Sequence, residues 1–466
     1  MSKLDGRLGR GGAVTRREAL KGAVAAIATV SIVPRGVLGG PGEVAPSDRP
    51  ILAGIGIGGV GHNQLQGCER AGFQIEVLCD VDDVYAKRSF DKWPQARRYR
   101  DYREMLSVED EKIDAVYVGT PDHSHAVICT AALRKKKHLC CVKPLTRTLD
   151  ECRVVVDAAK QSGVATQVTA SPNTSESACR TCELIWAGAI GPVREVHVWS
   201  NRPLWPQGMM TPAGEDPVPS TLAWDLWLGP AQAIPFKATW PEGHYATRQV
   251  NVPGRVRDAV YHPWNFRGWW AFGTGALGDM GCHHLNTPYR VLKLTHPTAV
   301  HASATKVFEE TAPLASIVSY DFPARGEMPP VRVTWYDGGL KPLCPPEREG
   351  RPLPASGTMY VGDEGIMFDA AVVPAERARK FADVPKTLPR RAGTWGEWFE
   401  ACRGGEQAGC HFEWAGLLSE FTLLGNIAIR TGKPLEWDAR NLRFTNFEAA
   451  NTFVREPYRD GWSLET

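Results

Sequence analysis

The sequence predicts an α/β protein whose N-terminal part is a doubly wound parallel sheet, and three observations support this prediction. Short apolar segments alternate with helical segments over residues 48–168, as in parallel sheets with crossover helices. The first apolar segment leads into the turn Gly56-Ile57-Gly58-Gly59-Val60-Gly61. The second ends at Asp80, 19 residues after Gly61. Together these features are the fingerprint of a dinucleotide-binding Rossmann fold.

The glycine-rich turn lies between a predicted strand, Pro50 to Ile57, and a helix that begins near Gly59. In this fingerprint the first glycine makes a tight turn, the second admits the pyrophosphate, and the third lets helix and strand pack. The helix N-terminus faces the phosphates with its partial positive charge. The predicted cofactor contacts here are Gly56, Gly58, Gly59, Val60 and Gly61.

Asp80 ends the predicted strand from Ile75 to Cys79. An acid there binds the adenosine ribose 2′-hydroxyl and repels a 2′-phosphate. The sequence therefore predicts NAD in preference to NADP. A tightly held cofactor is expected if the protein is exported, because free NAD is scarce outside the cytoplasm. Lys87 and Arg88, a turn or two further on, keep NADP as the alternative.

The alternation continues to residue 169. The predicted elements are a short helix capped by Asp101, strand Ile113 to Val118, helix Ala126 to Lys135, strand His138 to Val142, a helix from the capping box Thr148–Glu151 to Gly163, and strand Val164 to Thr169. Ligands bind beyond the carboxyl ends of such strands. The residues expected to border the cofactor there are Thr120, Pro121, His123, His125, Lys143 and Pro144.

Composition excludes several classes of protein. With 46 Gly and 35 Pro in 466 residues the chain is not of low complexity, and 12 Cys are too few for a disulfide scaffold. A net charge of +2 provides no electrostatic argument for nucleic acid. No apolar run reaches the length of a membrane span.

The first 45 residues carry the features of an export signal. Arg16-Arg17 precede a mildly apolar stretch from Gly22 to Val33, and adjacent arginines at such a junction resemble a twin-arginine (Tat) signal. We therefore expect export by the Tat machinery to the periplasm or cell envelope. The alternative is a basic amphipathic helix that opens the fold, and the cleavage position, between residues 36 and 46, is open.

The second half of the chain shows fewer regular elements. The predicted ones are helix Ser175 to Ala187, strands Val193 to Ser200 and Val331 to Trp335, a hairpin from Met359 to Phe368, and a helix from Leu417 to Thr431. Residues 201–265, rich in Pro and Trp, are typical of a long binding loop. Cys179 and Cys182 have redox or metal spacing, but they fall within a predicted helix and are interpreted as structural.

Asp279 and His283 are separated by four residues, which places them on one face of a helix. A histidine paired with a carboxylate is a general base near neutral pH, and Lys143 can hold the developing alkoxide. The alternative is a helix that Asp279 caps and in which His283 satisfies a backbone group. Neighbouring side chains that suit a sugar substrate, or alternatively pack beneath the loop, are His262, Trp264, Asn265, Arg267 and Trp269.

The glycine-rich turn, Asp80, Thr120-Pro121-Asp122-His123-Ser124-His125 and Lys143-Pro144 resemble the Gfo/Idh/MocA oxidoreductases. Trp224 to Pro230 and Phe266 to His283 are similar to stretches of the family's exported branch. The resemblance implies an NAD(P)-dependent enzyme acting on sugars or polyols, with Lys143, Asp279 and His283 at its catalytic site. It also implies a second domain with an open, largely antiparallel sheet that supports homo-oligomers. The expected organisation is a signal and linker over residues 1–45, a cofactor domain over 46–168 and a substrate domain over 169–466.

One position departs from that family pattern. The family has Glu-Lys-Pro where this sequence has Val142-Lys143-Pro144, and we expect Asp279 to replace the missing acid electrostatically. Three functions are compatible with these residues. They are an NAD(P)-dependent oxidoreductase of a secondary alcohol, a glycosidase or lyase that oxidises a ring carbon transiently, and a non-catalytic sugar-binding relative. No metal site is predicted.

Overall fold

Six parallel strands form the first sheet of the computed structural model, which describes residues 48–250, 254–348 and 350–465. The strands are β1 (Ile51–Ile55), β2 (Gln74–Cys79), β3 (Arg97–Tyr99), β4 (Ala115–Val118), β5 (His138–Val142) and β6 (Thr166–Thr169). Their order is β3-β2-β1-β4-β5-β6. The order of the strands reverses between β1 and β4, and ligands bind at such a switch point. The predicted export signal lies outside the described residues.

The helices of this part are α1 (Val60–Ala71), α2 (Asp83–Lys92), α3 (Tyr102–Val108), α4 (His125–Arg134) and α5 (Leu149–Ser162). Local sequence explains their ends. The Asp82 side chain accepts hydrogen bonds from two amides at the start of α2, and Thr148 and Glu151 form the predicted capping box of α5. By contrast, no side-chain hydrogen bond caps the start of α1.

A second sheet of nine strands follows. The strands are β7 (Val193–Trp199), β8 (Ala299–Ala304), β9 (Ser316–Phe322), β10 (Val331–Tyr336), β11 (Gly357–Gly362), β12 (Gly365–Phe368), β13 (Ala371–Val373), β14 (Leu435–Asp438) and β15 (Arg443–Phe444). Their order is β13-β12-β11-β7-β10-β9-β8-β14-β15. β7 and β10 pair in parallel and the other neighbours are antiparallel. Both sheets belong to one compact unit, Pro50–Thr466.

The remaining helices surround this sheet and the cleft described below. They are α6 (Glu176–Trp186), α7 (Trp224–Leu228), α8 (Ala246–Gln249), α9 (Arg255–Asp258), α10 (Gly275–His284), α11 (Asn286–Val291), α12 (Ala375–Lys380), α13 (Gly393–Cys402) and α14 (Phe412–Thr431). Phe421 and Leu424 of α14 share one buried core with Tyr320 of β9 and Val333 of β10. Within the described residues, no helix is long and apolar enough to cross a bilayer.

The predicted α/β fold class is confirmed, with a parallel first sheet and a mostly antiparallel second sheet. The predicted strands and hairpin agree with the structure to within about two residues, whereas α14 begins at Phe412, five residues before the predicted start. Six strands were not predicted, namely β3, β8, β9, β13, β14 and β15. Cys179 and Cys182 are buried free thiols in α6, in agreement with their structural interpretation.

Candidate functional site

A cleft lies at the carboxyl ends of β1, β2, β4 and β5. Its wall includes the glycine-rich turn, the residues that follow these strands, and side chains from the loop around His262. The glycine-rich turn and Lys143 therefore face the same cleft, at the edge of the sheet where ligands bind in this fold.

The glycine-rich turn has the backbone geometry that its fingerprint requires. Gly56 and Gly59 have φ angles of 73° and 50°, in the left-handed region that glycine tolerates best. A Cβ on Gly61 would overlap the carbonyl oxygen of Gly56, so this close approach of α1 requires glycine. Val60, the first residue of the uncapped helix, lines the cleft. A helix N-terminus in that position supplies amides and partial positive charge for phosphates.

Asp80 is buried at the end of β2 and is hydrogen-bonded to the turn. Its Oδ2 accepts from the amides of Ile57 at 2.9 Å and Gly58 at 3.1 Å, and its Oδ1 accepts from the amide of Asp82 at 3.0 Å. Burial raises the pKa of Asp80 above its ordinary value, against the effect of these amides. Asp80 thus fixes the turn and lines the cleft at the same time.

The cation that lines the cleft near Asp80 is neither Lys87 nor Arg88, the two that the sequence suggested. Lys87 lies on the exposed face of α2 and pairs with Asp91 at 2.6 Å. Among the described cleft-lining residues, neither Lys87 nor Arg88 is present, whereas Arg100 is, and it pairs with Asp83. Arg100 directly follows the short strand β3, which the sequence pattern did not reveal.

Tyr85 of α2 lies against the glycine-rich turn. A Cβ on Gly58 would overlap its ring, and one on Gly59 would overlap its hydroxyl group. The ring also packs edge-on against His262, with the ring centroids 5.3 Å apart. Tyr85 was not among the residues predicted to border the cofactor, because nothing in a helical pattern identifies the distant loop that a side chain contacts.

The turn after β4 contains residues that face the cleft and residues that support its wall. Thr120, Pro121 and Asp122 line the cleft. The Thr120 hydroxyl is buried without a hydrogen-bond partner in the described structure. The Asp122 carboxylate accepts from the hydroxyl of Thr274 at 2.8 Å, which ties this turn to the start of α10.

His123 and His125 were predicted to border the cofactor, but the structure places both behind the wall, fully buried. The two ring nitrogens of His123 contact backbone carbonyls at 2.9 and 3.3 Å. Those of His125 contact the carbonyls of Thr120 and Pro144, each at 2.9 Å. Burial lowers the pKa of His123 to about 3. These two imidazoles therefore support the backbone, and the Pro144 carbonyl is one of the groups they bind.

Lys143 lines the cleft and forms an ion pair with Asp279 of α10. The same oxygen of Asp279 accepts from Nε of Arg267 at 2.9 Å. The three side chains are nearly buried, with exposures of 14% for Lys143, 8% for Asp279 and 14% for Arg267. Burial favours protonation of Asp279, but the two cations hold its pKa well below the ordinary value. Two cations around one carboxylate leave a net positive charge, which favours an anionic ligand oxygen.

His283 lies one turn after Asp279 in α10, as the spacing predicts, and is not among the described residues that line the cleft. Its interactions differ from the expected carboxylate–imidazole pair, because Asp279 is bound by Lys143 and Arg267. The Nδ1 of His283 contacts the Ser171 hydroxyl at 3.3 Å. Burial, together with the Lys143 ammonium, lowers the pKa of His283 to about 3. The imidazole is therefore neutral at physiological pH.

A carboxylate–imidazole pair is found instead at His262, which lines the cleft. Its Nε2 lies 3.0 Å from Oδ2 of Asp82, and its Nδ1 accepts from the indole N–H of Trp227 at 3.0 Å. Because an indole only donates, the Nε2 atom carries the proton that Asp82 accepts. The pair joins the loop around His262 to the start of α2, a link that separated sequence positions could not indicate.

Of the other residues predicted to contact substrate, two line the cleft and two are buried beneath it. Trp264 and Arg267 line the cleft, with the Arg267 guanidinium 4.2 Å from the centroid of the Trp264 ring. Asn265 is fully buried, and its amide donates to two backbone carbonyls of the same loop. Trp269 is 2% exposed and donates to a threonine hydroxyl at 3.0 Å. Asn265 and Trp269, both predicted to contact substrate, instead pack beneath the loop.

The turn, Asp80 and Lys143 lie in a segment that matches a known family. Residues 52–170 match the family described as "Oxidoreductase family, NAD-binding Rossmann fold". This segment of the chain therefore matches the Gfo/Idh/MocA oxidoreductase family, in agreement with the resemblance of its sequence motifs to that family.

Relatives with described names share a limited part of the chain. Inositol 2-dehydrogenase of Salmonella paratyphi B is 29% identical over 112 residues, which are 23% of this chain and 33% of the relative. A glycosyl hydrolase family 109 protein of Shewanella baltica is 28% identical over 162 residues, which are 32% of this chain and 34% of the relative. The chain thus matches about a third of the length of these curated relatives.

Solved structures share the fold over a larger part of the chain. One is the WlbA dehydrogenase from Bordetella pertussis in complex with NADH and UDP-GlcNAcA, with a TM-score of 0.55 and 13% identity. The superposition covers 84% of this chain and 99% of the other. The fold is therefore shared well beyond the first sheet.

The cleft fits the dinucleotide that the family's Rossmann domain binds. The turn requires glycine, because an added Cβ would meet neighbouring atoms. No side-chain hydrogen bond caps the start of α1 beside it. The partnerless Thr120 hydroxyl supplies a further polar group in the wall. The residues available to hold the cofactor are therefore the glycine-rich turn, Val60, Asp80 and Thr120.

Proposed function

We propose that this protein is an NAD-dependent oxidoreductase that oxidises a secondary alcohol of a sugar, polyol or glycoside. The observation that carries the proposal is the Lys143–Asp279–Arg267 cluster in the cleft that also contains the glycine-rich turn. A dinucleotide-binding site and a net positive, nearly buried cluster in one cleft are what alcohol oxidation requires.

Bound NAD supplies an acceptor for the hydride that leaves the alcohol carbon. The protein must then stabilise the oxygen and remove its proton. In this proposal Lys143 holds the developing alkoxide, and Asp279 fixes Lys143 and Arg267 so that no rearrangement is needed during reaction. In this proposal His283, one turn after Asp279 in α10 and neutral at physiological pH, accepts the proton.

The substrate class rests on the relatives and on the cleft wall. The name of the Salmonella relative, inositol 2-dehydrogenase, supports a polyol or sugar. Trp227 and Trp264 line the cleft, and indole faces pack well against the C–H faces of sugar rings.

The glycosyl hydrolase family 109 relative favours a second candidate, a glycosidase or lyase. In that reaction a ring carbon would be oxidised to a ketone and the leaving group eliminated. In a glycosidase water would then add to the resulting double bond, and return of the hydride to the ketone would restore the oxidised cofactor. The two candidates differ in whether reduced cofactor accumulates. A non-catalytic sugar-binding role is disfavoured by the intact Lys143–Asp279 pair.

The test is turnover of a panel of polyols, free sugars and glycosides, followed by nicotinamide absorbance and by product analysis. Dehydrogenase activity predicts one reduced cofactor per product, whereas the hydrolytic candidate predicts product without net reduction. Nicotinamide absorbance in the purified protein, before any addition, tests whether the cofactor is held tightly. Failure to bind NAD or NADP would overturn the proposal.

Asp80→Ala is expected to weaken NAD binding by roughly 10- to 100-fold, since hydrogen bonds to a charged group contribute about 1.5–3 kcal/mol. NADP binding is expected to fall less, because the substitution removes the carboxylate that repels a 2′-phosphate. Calorimetric titration of both cofactors measures the change, with Asp91→Ala on the exposed face of α2 as the control. A wild-type protein that prefers NADP would contradict the assignment.

We further propose that residues 1–45 direct export by the twin-arginine pathway to the periplasm or cell envelope. Replacing both Arg16 and Arg17 with lysine is expected to retain the protein in the cytoplasm, as measured by cell fractionation. Arg7→Lys with Arg10→Lys is the matched control, because it changes two arginines of the same segment outside the pair. Unchanged envelope localisation of the Arg16/Arg17 variant would refute the proposal.

A further inference from the structure

The C-terminal segment, residues 454–465, reaches the same cleft although it lies far outside the segment that matches the family. It follows a short 3-10 helix, Glu448–Phe453. We propose that this segment forms the adenine side of the cofactor site, with Trp462 as the ring against which the base stacks. The inference rests on the dinucleotide site of the proposed function and assigns it a residue outside the Rossmann domain.

The segment is held in place along its length by charged and polar contacts. These contacts join it to residues around α5, α7 and α14. They are the ion pairs of Glu456 with Arg147 and Arg430, the hydrogen bond from the Tyr458 hydroxyl to Glu151 at 2.7 Å, and the bonds from Arg459 to Asp225 at 2.6 Å and to the Gly229 carbonyl at 2.5 Å. The position of Trp462 is therefore fixed by the fold before a ligand binds.

Three neighbouring side chains contact the Trp462 ring. Its centroid lies 6.4 Å from that of Tyr102, and the planes are inclined by 39°. The guanidinium carbon of Arg103 lies 4.6 Å from the ring centroid, and that of Arg459 lies 5.8 Å away. Arg103 is in turn ion-paired with Asp101 at 2.6 Å. These contacts orient an indole that still contributes to the cleft wall.

The end of the cleft at which Trp462 lies follows from the sheet order. The acid that ends β2 binds the adenosine ribose in this fold, so the adenine belongs on the β2 and β3 side of the switch point. Lys143 follows β5, on the other side. The residues after β2 and β3 that contribute to the wall are Asp80, Val81, Tyr85, Arg100 and Tyr102. Trp462, in contact with Tyr102, completes an aromatic surface there.

A purine has two apolar π faces and binds well to such a surface. Stacking of a nucleic-acid base on an aromatic side chain contributes to affinity by an amount that corresponds to roughly 5- to 100-fold. A Rossmann domain alone provides the ribose and phosphate contacts. In this chain the C-terminal segment would add the base contact and thereby favour retention of the cofactor.

The test compares the two halves of the cofactor by calorimetry. Trp462→Ala is expected to weaken binding of NAD and of AMP by about 5- to 100-fold, while nicotinamide mononucleotide binds as in the wild type. Trp462→Phe retains an aromatic ring and is expected to recover most of the AMP affinity. Trp186→Ala, which removes a 41% exposed indole outside the cleft wall, is the matched control.

The outcomes separate this inference from the proposed function. If wild-type protein binds neither NAD nor AMP, both fail. If wild-type protein binds both and Trp462→Ala binds AMP equally well, the stacking role alone is overturned. An equal loss of AMP and nicotinamide mononucleotide in Trp462→Ala would indicate general damage to the cleft and would also overturn the specific role.

Discussion

Replacing Lys143 with alanine is expected to lower kcat on a confirmed substrate by about 10²–10⁴, the usual effect of removing a group that stabilises developing charge. The substitution removes the ammonium that lines the cleft and leaves Asp279 paired with Arg267 alone. The cluster then loses its net positive charge. NAD is expected to bind with nearly wild-type affinity, because the glycine-rich turn and Asp80 are unchanged. Steady-state kinetics and cofactor titration measure the two quantities separately.

Asp279→Asn is expected to have an effect between those of Lys143→Ala and the wild type. Both cations remain, but they lose the charged oxygen that they share and repel each other at close range.

The matched control for Lys143→Ala is Lys160→Ala, which removes a lysine at a half-exposed position on α5. Wild-type turnover in Lys143→Ala would exclude the proposed role. If NAD affinity and kcat both fall in Lys143→Ala, the role of Lys143 is to bind the cofactor and not to stabilise the alkoxide.

The first sheet could be predicted because its signals are local. Its buried strands are short apolar runs, α2, α3 and α5 each begin with a side-chain cap, and Gly56 to Gly61 follow directly after β1. The second sheet offered less. Strand β8 is partly exposed along its length, and it pairs with β9 and with the distant β14. Such strands depend on neighbours far along the chain for their stability, so their own residues carry a weak pattern.

The site was predicted residue by residue more reliably than contact by contact. The ion pair between Lys143 and Asp279 joins positions 136 residues apart, and that between His262 and Asp82 joins positions 180 apart. The motifs identified Lys143, Asp279 and His262 as functional residues, but they did not indicate which side chains contact each other. Asp279 is ion-paired with Lys143, so a carboxylate accompanies the lysine although Val142 precedes it in the chain. Tyr85, Arg100 and Trp462 were missed, because each becomes part of the cleft only through the fold.

His283→Ala is expected to lower kcat by about 10²–10⁴, since it removes the proposed proton acceptor, while NAD affinity stays unchanged. His284→Ala is the matched control. His284 is the next residue of α10, and its ring packs 6.1 Å from that of Trp335, so its removal is expected to leave turnover nearly intact. If His283→Ala turns over substrate at the wild-type rate, the proton acceptor must be sought elsewhere. Asp122, whose carboxylate lines the cleft, is then the next candidate.

The pH profile gives this assignment a second, independent readout. Burial and the Lys143 ammonium lower the pKa of His283 to about 3, so protonation of this imidazole begins only well below pH 5. Protonation would remove the acceptor, and activity would therefore be lost as the pH falls towards that value. We expect wild-type kcat/KM to show no loss from this group between pH 8 and pH 5. An acid limb near pH 6.5 in the wild type that disappears in His283→Ala would mean that the imidazole is solvated. The buried arrangement beside Lys143 would then be wrong, even if His283 is the base.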